Sequence, residues 1–273
     1  MSVSSTKAPV RVARTGLARG GRDAIIVLIG VAAVLATWAI GAQLFGKPTL
    51  FPGPVDVAAT LVDGFADGTL IEAVGASLAR VVTGLVIGSV LGIALGLLSG
   101  SSRILEALFE PFINMFRFIP PLAWFAPVLL WMGAGEESKI TLIVYTSIFV
   151  VAVSTAAGVK AVPRNMIRMA HTFGASPVRL FFSVRFPASM PYILTGVRIA
   201  MGNAFMTVVS AEMLGASTGL GVIIIKGGAT TNVPAVFAAL IILGILGLLT
   251  DRLYVFLVRR YGGRFSAKLS ADG

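Results

Sequence analysis

Lys160 to Pro191, KAVPRNMIRMAHTFGASPVRLFFSVRFPASMP, is the stretch on which the reading of this chain turns. It is polar and basic, is not low-complexity, and separates two runs that are apolar enough to cross a bilayer. Connections between elements are usually about 4–6 residues long, so a segment of this length between spans is more often a functional surface than a plain connector. Its punctuation is helical. Pro163 can open a helix at the first turn, Arg164–His171 continues it, and Gly174 supplies a stop. Ser176-Pro177 starts a second helical stretch through about Val184, and Pro187 and Pro191 mark the approach to the next span. Two short helices joined at a glycine make a compact knob.

Outward from this segment, composition sets the class. Hydrophobic residues make up 56% of the chain and charged ones 12%, where soluble domains carry roughly 25% charged. A spanning helix needs roughly 20 mainly apolar residues, and Ala24–Phe45, Val81–Leu98, Ile140–Val159, Tyr192–Leu214 and Val233–Thr250 qualify. Leu105–Met132 is apolar but broken by Glu106, Glu110, Asn114, Arg117 and Pro120-Pro121, which predicts a kinked span. The fold class is therefore all-α integral membrane with about six transmembrane helices. A barrel strand would need only about 10 alternating residues.

The net charge of +10 is unevenly placed. Under six spans, fifteen Lys and Arg fall in the N-terminal tail, the Arg103 loop, the long loop and the C-terminal tail, all on one side. Only Lys47, Lys139 and Lys226 fall on the other side. That asymmetry predicts cytoplasmic termini and a cytoplasmic long loop, and it reports orientation against lipid, with no nucleic-acid partner. No cysteine is present, which excludes disulfides, thiolate catalysis and cysteine-ligated metal. The lone His171 reads as a loop residue, and no metal site is expected. Span one exceeds a signal-peptide core of about 7–15 residues and reads as a retained anchor. Residues 1–23 read as a cytosolic tail, 24–258 as one membrane domain holding loop 160–191, and 259–273 as a second cytosolic tail.

Several internal patterns carry further expectations. Gly84, Gly88, Gly92 and Gly96 fall on one face of span two, where missing side chains let another backbone approach closely, in the same subunit or in a second copy. Val55–Phe65 has apolar residues at helical spacing and reads as an interfacial helix or an ordinary surface helix. Val222–Ile225 reads as a short apolar element between glycine turns. Glu110, Asn114 and Arg117 share one helix face, either as a gate or electropositive patch for an anion or as an internal ion pair that orients span three. Glu212 is a path candidate or the partner of Arg80, both near the outer ends of their spans. Asn203, Thr207 and Ser210 are candidates for a pore lining, although such hydroxyls often bond only their own backbone. Asp251-Arg252 is expected at a helix–helix contact. No nucleotide-binding motif occurs; Gly215–Gly221 has no preceding strand and no following Gly-Lys-Ser/Thr.

At the loop the sequence resembles permease subunits of binding-protein-dependent ABC importers. Their cytosolic loop reads Glu-Ala-Ala, three residues, Gly, nine residues, Ile, any residue, Leu-Pro. Here Gly174 is followed after nine residues by Val184, Arg185, Phe186 and Pro187, while Arg168, Met169 and Ala170 occupy the Glu-Ala-Ala positions, so only the second alanine is kept. The resemblance runs from Pro52 onward and is closest to the nitrate, sulfonate, taurine and bicarbonate importer group. It includes Ser77–Val81, Arg117–Trp124, Trp131–Glu136, Ser138-Lys139-Ile140, Gly174-Ala175-Ser176, Pro187–Gly196 and Ala211-Glu212.

The resemblance implies a type I ABC importer permease fold with a coupling-helix loop in a bacterial inner membrane. It further implies a permease pair, most simply a homodimer, two cytosolic ABC ATPase subunits that bind ATP and Mg, and an extracytoplasmic solute-binding protein. The chain itself would be no enzyme and would hold no cofactor. Arg168, Met169, Ala170, His171, Gly174, Ala175, Ser176 and Pro187 would belong to the ATPase-coupling loop. By analogy the solute would be a small anion of the sulfonate, taurine, nitrate or bicarbonate kind, with aromatic carboxylates or a thiamine precursor also open. The competing classes are a stand-alone secondary transporter or channel, which predicts an acidic relay or inverted broken helices, and an intramembrane enzyme, which needs a nucleophile–base or metal constellation.

Overall fold

A computed structural model describes residues 16–47 and 49–263, with side chains from residue 25. The tails 1–15 and 264–273 lie outside the described residues. The described residues form two compact units that divide after Asp56.

In the first unit, helix α1 (Gly16–Phe45) starts ahead of the apolar run. The residues Gly16–Arg22, expected as part of a tail, are thus helical, because a helix can outrun the apolar stretch once its backbone bonds are made within the segment. Trp38 Nε1 donates to the Pro52 carbonyl at 3.0 Å, and the Phe45 and Phe51 rings lie 6.0 Å apart. These contacts fold the end of α1 against the turn that follows it. Helix α2 (Pro54–Ala66) then begins with proline in its first turn, and Asp56 Oδ2 accepts from the Gly53 amide at 3.1 Å.

The second unit is built on helix α3 (Thr69–Ser101), the broken span α4 (Arg103–Phe116) and α5 (Phe125–Met132), and α6 (Glu136–Lys160). These are followed by α7 (Arg164–Thr172), α8 (Pro177–Leu180), α9 (Phe186–Gly215), α10 (Leu220–Ala229) and α11 (Val233–Tyr261). Five described helices are long and apolar enough to cross a bilayer, or six when the bent pair counts as one. The fold class expected from composition is the one observed.

The glycine stripe fixes how α3 packs. A Cβ placed on Gly84, Gly88, Gly92 or Gly96 would lie 2.5–2.6 Å from atoms of α6, among them the carbonyl oxygens of Ile148 and Ala152. The two helices therefore touch backbone to backbone within one chain, which is what small residues achieve where lipid gives no hydrophobic drive. On the other side of α6, Gly158 faces Tyr192 and Gly196 faces Ser154. Helix α6 is thus clamped between α3 and α9. Buried side chains fill what remains: Val81, Ile143, Ala204 and Val208 at the three-helix centre, and Val128, Leu142 and Ala211 beneath α5. Leu70, Ala73, Leu220, Ala239 and Ile242 join α3, α10 and α11.

Two spans differ from the sequence reading. Span two is longer than Val81–Leu98: α3 starts at Thr69, after Gly68 at φ 82°, with the Thr69 amide bonded to Asp67 Oδ1 at 2.9 Å. The charged Arg80 cut the apolar run short in sequence, whereas in space its charge is met by two carboxylates. Span five does not begin at Pro187 or Pro191. A helix of 39 residues runs from Pro177 through a π turn (Phe181–Arg185) to Gly215. The ring of Pro187 would crowd the Ser183 carbonyl of a regular helix, and Ser183 lies in the wider π turn, so the chain passes this proline without a break; Pro191 lies inside α9.

Span three is bent by 90° between α4 and the 3-10 turn Pro121–Trp124 that leads into α5. At the bend the last carbonyls of α4 are met by turn amides, Phe118 to Met115 at 3.3 Å and Ile119 to Phe116 at 3.0 Å, as a break at membrane depth requires. Tyr145 Oη of α6 donates to the Phe116 carbonyl at 2.6 Å. The Phe116 and Phe149 rings stack at 5.9 Å on the same face.

Candidate functional site

The long loop folds as two short helices about a left-handed glycine. Pro163 precedes α7, and its carbonyl accepts from the Met166 amide at 3.0 Å. At the far end Gly174 takes φ 71°, its amide bonds the His171 carbonyl at 2.9 Å, and the Ala175 amide bonds the Ala170 carbonyl at 3.0 Å. This paired arrangement is the Schellman ending that a glycine at this place makes available. Ser176 Oγ then accepts from the Arg179 amide at 3.3 Å, capping α8.

Arg168, Met169, His171, Gly174 and Ser176 are exposed, Ala170, Ala175 and Pro187 are half-buried, and Arg168 uses its backbone carbonyl to hold the Thr172 hydroxyl. The sequence reading missed the apolar character of this surface. Met166, Met169, Phe173, Val178 and Phe182 all stand in the open, Phe173 at 83% exposure. The signal was present in the spacing of Met166, Met169 and Phe173, which puts them on one side of α7. It also missed Arg185, whose Nη1 donates to the Ser101 carbonyl at 2.8 Å and ties the loop to the end of α3.

Of the polar groups inside spans, Glu212 has its partners in full. Its carboxylate is fully buried and accepts from Arg80 Nη1 at 2.7 Å, from Ser77 Oγ at 2.7 and 2.9 Å, and from the Gly221 amide at 2.9 Å. Arg80 also grips Glu136 through Nε at 2.6 Å and Nη2 at 2.9 Å, and donates to the Thr218 carbonyl at 2.7 Å. Four helices, α3, α6, α9 and α10, meet at this network. Glu212 is paired with Arg80, and no face of its carboxylate is left to water.

Asn203, Thr207 and Ser210 share a side of α9, but Thr207 is buried and bonds the Asn203 carbonyl at 2.9 Å. Ser210 bonds the Met206 carbonyl at 3.3 Å. Both hydroxyls bond carbonyls of their own helix, while Asn203 and Ser210 are half-buried. The internal pair expected between Glu110 and Arg117 does not form either. Glu110 Oε2 lies 3.9 Å from Lys160 Nζ, with Glu106 Oε1 nearer at 2.9 Å, while Arg117 sits over the Phe118 ring at 4.7 Å. Lys160 reaches the two carboxylates because α6 ends beside α4, a proximity that spacing alone cannot reveal. Asn114 lines the same cleft of about 180 Å³, with Glu106, Glu110 and Lys160. Asp251 is at a helix contact as expected, receiving Arg198 of α9 through two bonds of 2.6 and 2.9 Å.

Comparisons with known proteins agree with this geometry. The family model for a binding-protein-dependent transport system inner membrane component matches residues 71–263. A probable ABC transporter permease protein of Brucella melitensis is 40% identical over 204 residues, covering 75% of this chain and 83% of that protein. The taurine transport system permease protein TauC of Escherichia coli is 35% identical, covering 83% of this chain and 85% of its own length. The nitrate import permease protein NrtB of Synechocystis is 34% identical, covering 84% and 86%. Among solved structures, an inward-facing MetNI methionine ABC transporter superposes with a TM-score of 0.64 at 23% identity, over 70% of this chain and 95% of that one. A bacterial alginate ABC transporter superposes with a TM-score of 0.59 at 15% identity, over 88% and 96%. These two likenesses concern the fold. By the family match and the level of identity, the chain belongs to the inner membrane components of binding-protein-dependent transport systems, the permease subunits of ABC importers.

Proposed function

We propose that this permease works as one of a pair, most simply two copies, driven by two separate ATPase subunits and supplied by an extracytoplasmic binding protein. ATP and Mg belong to the ATPase partners, and the permease performs no chemistry itself. Both termini and the 160–191 loop face the cytoplasm, following the placement of Lys and Arg. The solute is a small sulfonate-, taurine- or nitrate-like anion, the kinds named for the relatives.

The observation that carries this reading is the loop itself. A rigid knob, closed by the Gly174 turn, shows Met166, Met169 and Phe173 to solvent on a basic helix. Exposed apolar side chains rimmed by polar residues mark a partner surface. The continuous helix from Pro177 to Gly215 joins that surface directly to the membrane core.

Gly174→Val tests the coupling. A side chain at φ 71° strains the turn by about 1–2 kcal/mol, too little to unfold the membrane unit. The variant should insert and retain basal ATP hydrolysis with its ATPase, yet lose most uptake of taurine or nitrate into proteoliposomes. Uptake equal to wild type would remove the loop from the coupling path. Failure of the wild-type permease to co-purify with an ATPase would sink the importer reading itself.

A further inference from the structure

Helix α4 has two opposite faces. Ile104, Leu108, Phe112 and Met115 are exposed and apolar, at spacings of four, four and three. Glu106, Glu110, Asn114 and Arg117 repeat the same spacings two residues later, which on a helix is the opposite side. One face suits lipid. The other carries polar groups along its length, and its Glu106, Glu110 and Asn114 line a cleft shared with Val153, Ala156, Ala157 and Lys160 of α6.

Arg117 stands at the deep end of this face. Its neighbour Phe116 is bonded to Tyr145, the tenth residue of α6, which places the break roughly 14 Å along that helix from its Glu136 end. The apolar run of that helix starts only at Ile140, about 8 Å before Tyr145, so the guanidinium lies inside the hydrocarbon layer, roughly a quarter of its ~30 Å thickness from the outer edge. A cation inside the layer costs up to about 2.5–3.5 kcal/mol unless it meets water or an opposite charge. Among the described residues no carboxylate comes within ion-pair distance of Arg117: Glu106 and Glu110 turn to Lys160, and Glu136 and Glu212 to Arg80. Phe118 covers one flat face of the guanidinium at 4.7 Å, and the N–H donors, which lie along its edge, remain available. An edge of that kind matches two oxygens of a sulfonate, carboxylate or nitrate.

We propose that Arg117, at the proline break of span three, binds the anionic group of the solute in mid-passage, with Asn114 and the polar face of α4 forming the wall that leads to it. The proposal rests on the importer reading and adds the residue that recognises charge. The sequence also makes the test clean, because the chain has no cysteine. Asn114→Cys installs one thiol per permease chain, beside Arg117, and its labelling is read on the permease band of the permease–ATPase complex held in nanodiscs. Its modification rates are compared for a methanethiosulfonate reagent bearing a sulfonate and one bearing a quaternary ammonium, each relative to its rate with a free small thiol.

The anionic reagent should be favoured, and Arg117→Gln in the same background should lower that preference about tenfold, the order by which a charged cleft concentrates a counter-ion. Arg117→Lys should retain most of it. If Arg117→Gln does not assemble, Arg117→Met keeps the apolar stem over Phe118 and serves for the same comparison. A preference unchanged without the charge would overturn the proposal, as would a thiol that neither reagent reaches, since α4 would then face lipid or protein. Assembly with the ATPase is scored on the same samples, so the importer reading fails separately, by loss of the complex.

Discussion

Arg80→Met is expected to prevent accumulation of folded permease. The substitution removes the guanidinium that meets the Glu212 carboxylate and leaves that carboxylate buried among α3, α9 and α10 with only a serine hydroxyl and one amide. Leaving one member of a buried pair alone costs about 3–5 kcal/mol, a large share of the stability of any domain. Glu136→Gln should be mild by comparison, because Glu136 is half-exposed and water can replace the lost charge. The double variant Arg80→Met with Glu212→Leu removes both charges and should recover much of the yield, since apolar replacement of a whole buried pair is often tolerated. Monodisperse yield in detergent and the thermal midpoint of the purified protein report all three. If Arg80→Met melted within a few degrees of wild type, the network would be ornamental.

A second large effect is expected at Gly92. A Cβ there would stand 2.6 Å from the Ile148 carbonyl oxygen and 2.9 Å from the Val151 Cβ. The obstacles are backbone and a branched side chain, neither of which can swing aside. Gly92→Ala should therefore cost about 1–3 kcal/mol, the range for overpacking, and Gly92→Leu should separate α3 from α6 and lose the folded protein. Gly75 provides the control on the same helix, since a Cβ there meets nothing within 4 Å. Gly75→Ala should be neutral or slightly stabilising through helix propensity. Equal melting points for the Gly92→Ala and Gly75→Ala variants would show that the α3–α6 contact is loose.

Much of this architecture can be read from residues alone, and the boundary of legibility is physical. Span positions follow from apolar runs, because lipid forces each segment to satisfy its own backbone. The glycine stripe and the two-helix knob are local patterns, and both appear as written: Gly174 at the left-handed turn, Gly84 to Gly96 against α6. The failures are those where a distant partner decides. Arg80 and Glu212 are 132 residues apart, so only the pairing of α3 with α9 shows that a charge inside a span is neutralised. Glu110 looked toward Arg117 on its own helix, yet the competing cation, Lys160, arrives from α6. Pro187 and Pro191 looked like a boundary, because nothing in the spacing announces that the helix runs through both, past the first by way of a π turn. Even the apolar side of α7 went unread, since Met166, Met169 and Phe173 in a soluble loop resemble a small core until their exposure is seen.

The uninterrupted helix from Pro177 to Gly215 has a mechanical consequence. At about 1.5 Å per residue it is a rod of nearly 60 Å, with the knob at one end and the Glu212 junction at the other. A stiff rod does not absorb a push; it redistributes it. A tilt of about 10° about its middle would carry each tip roughly 5 Å in opposite directions. One point of compliance along its length is the widened turn at Phe181–Arg185, and Arg185 pins that turn to Ser101. Displacements at the water-exposed knob would therefore reach α3 and α10 at about the same size, with the sign reversed.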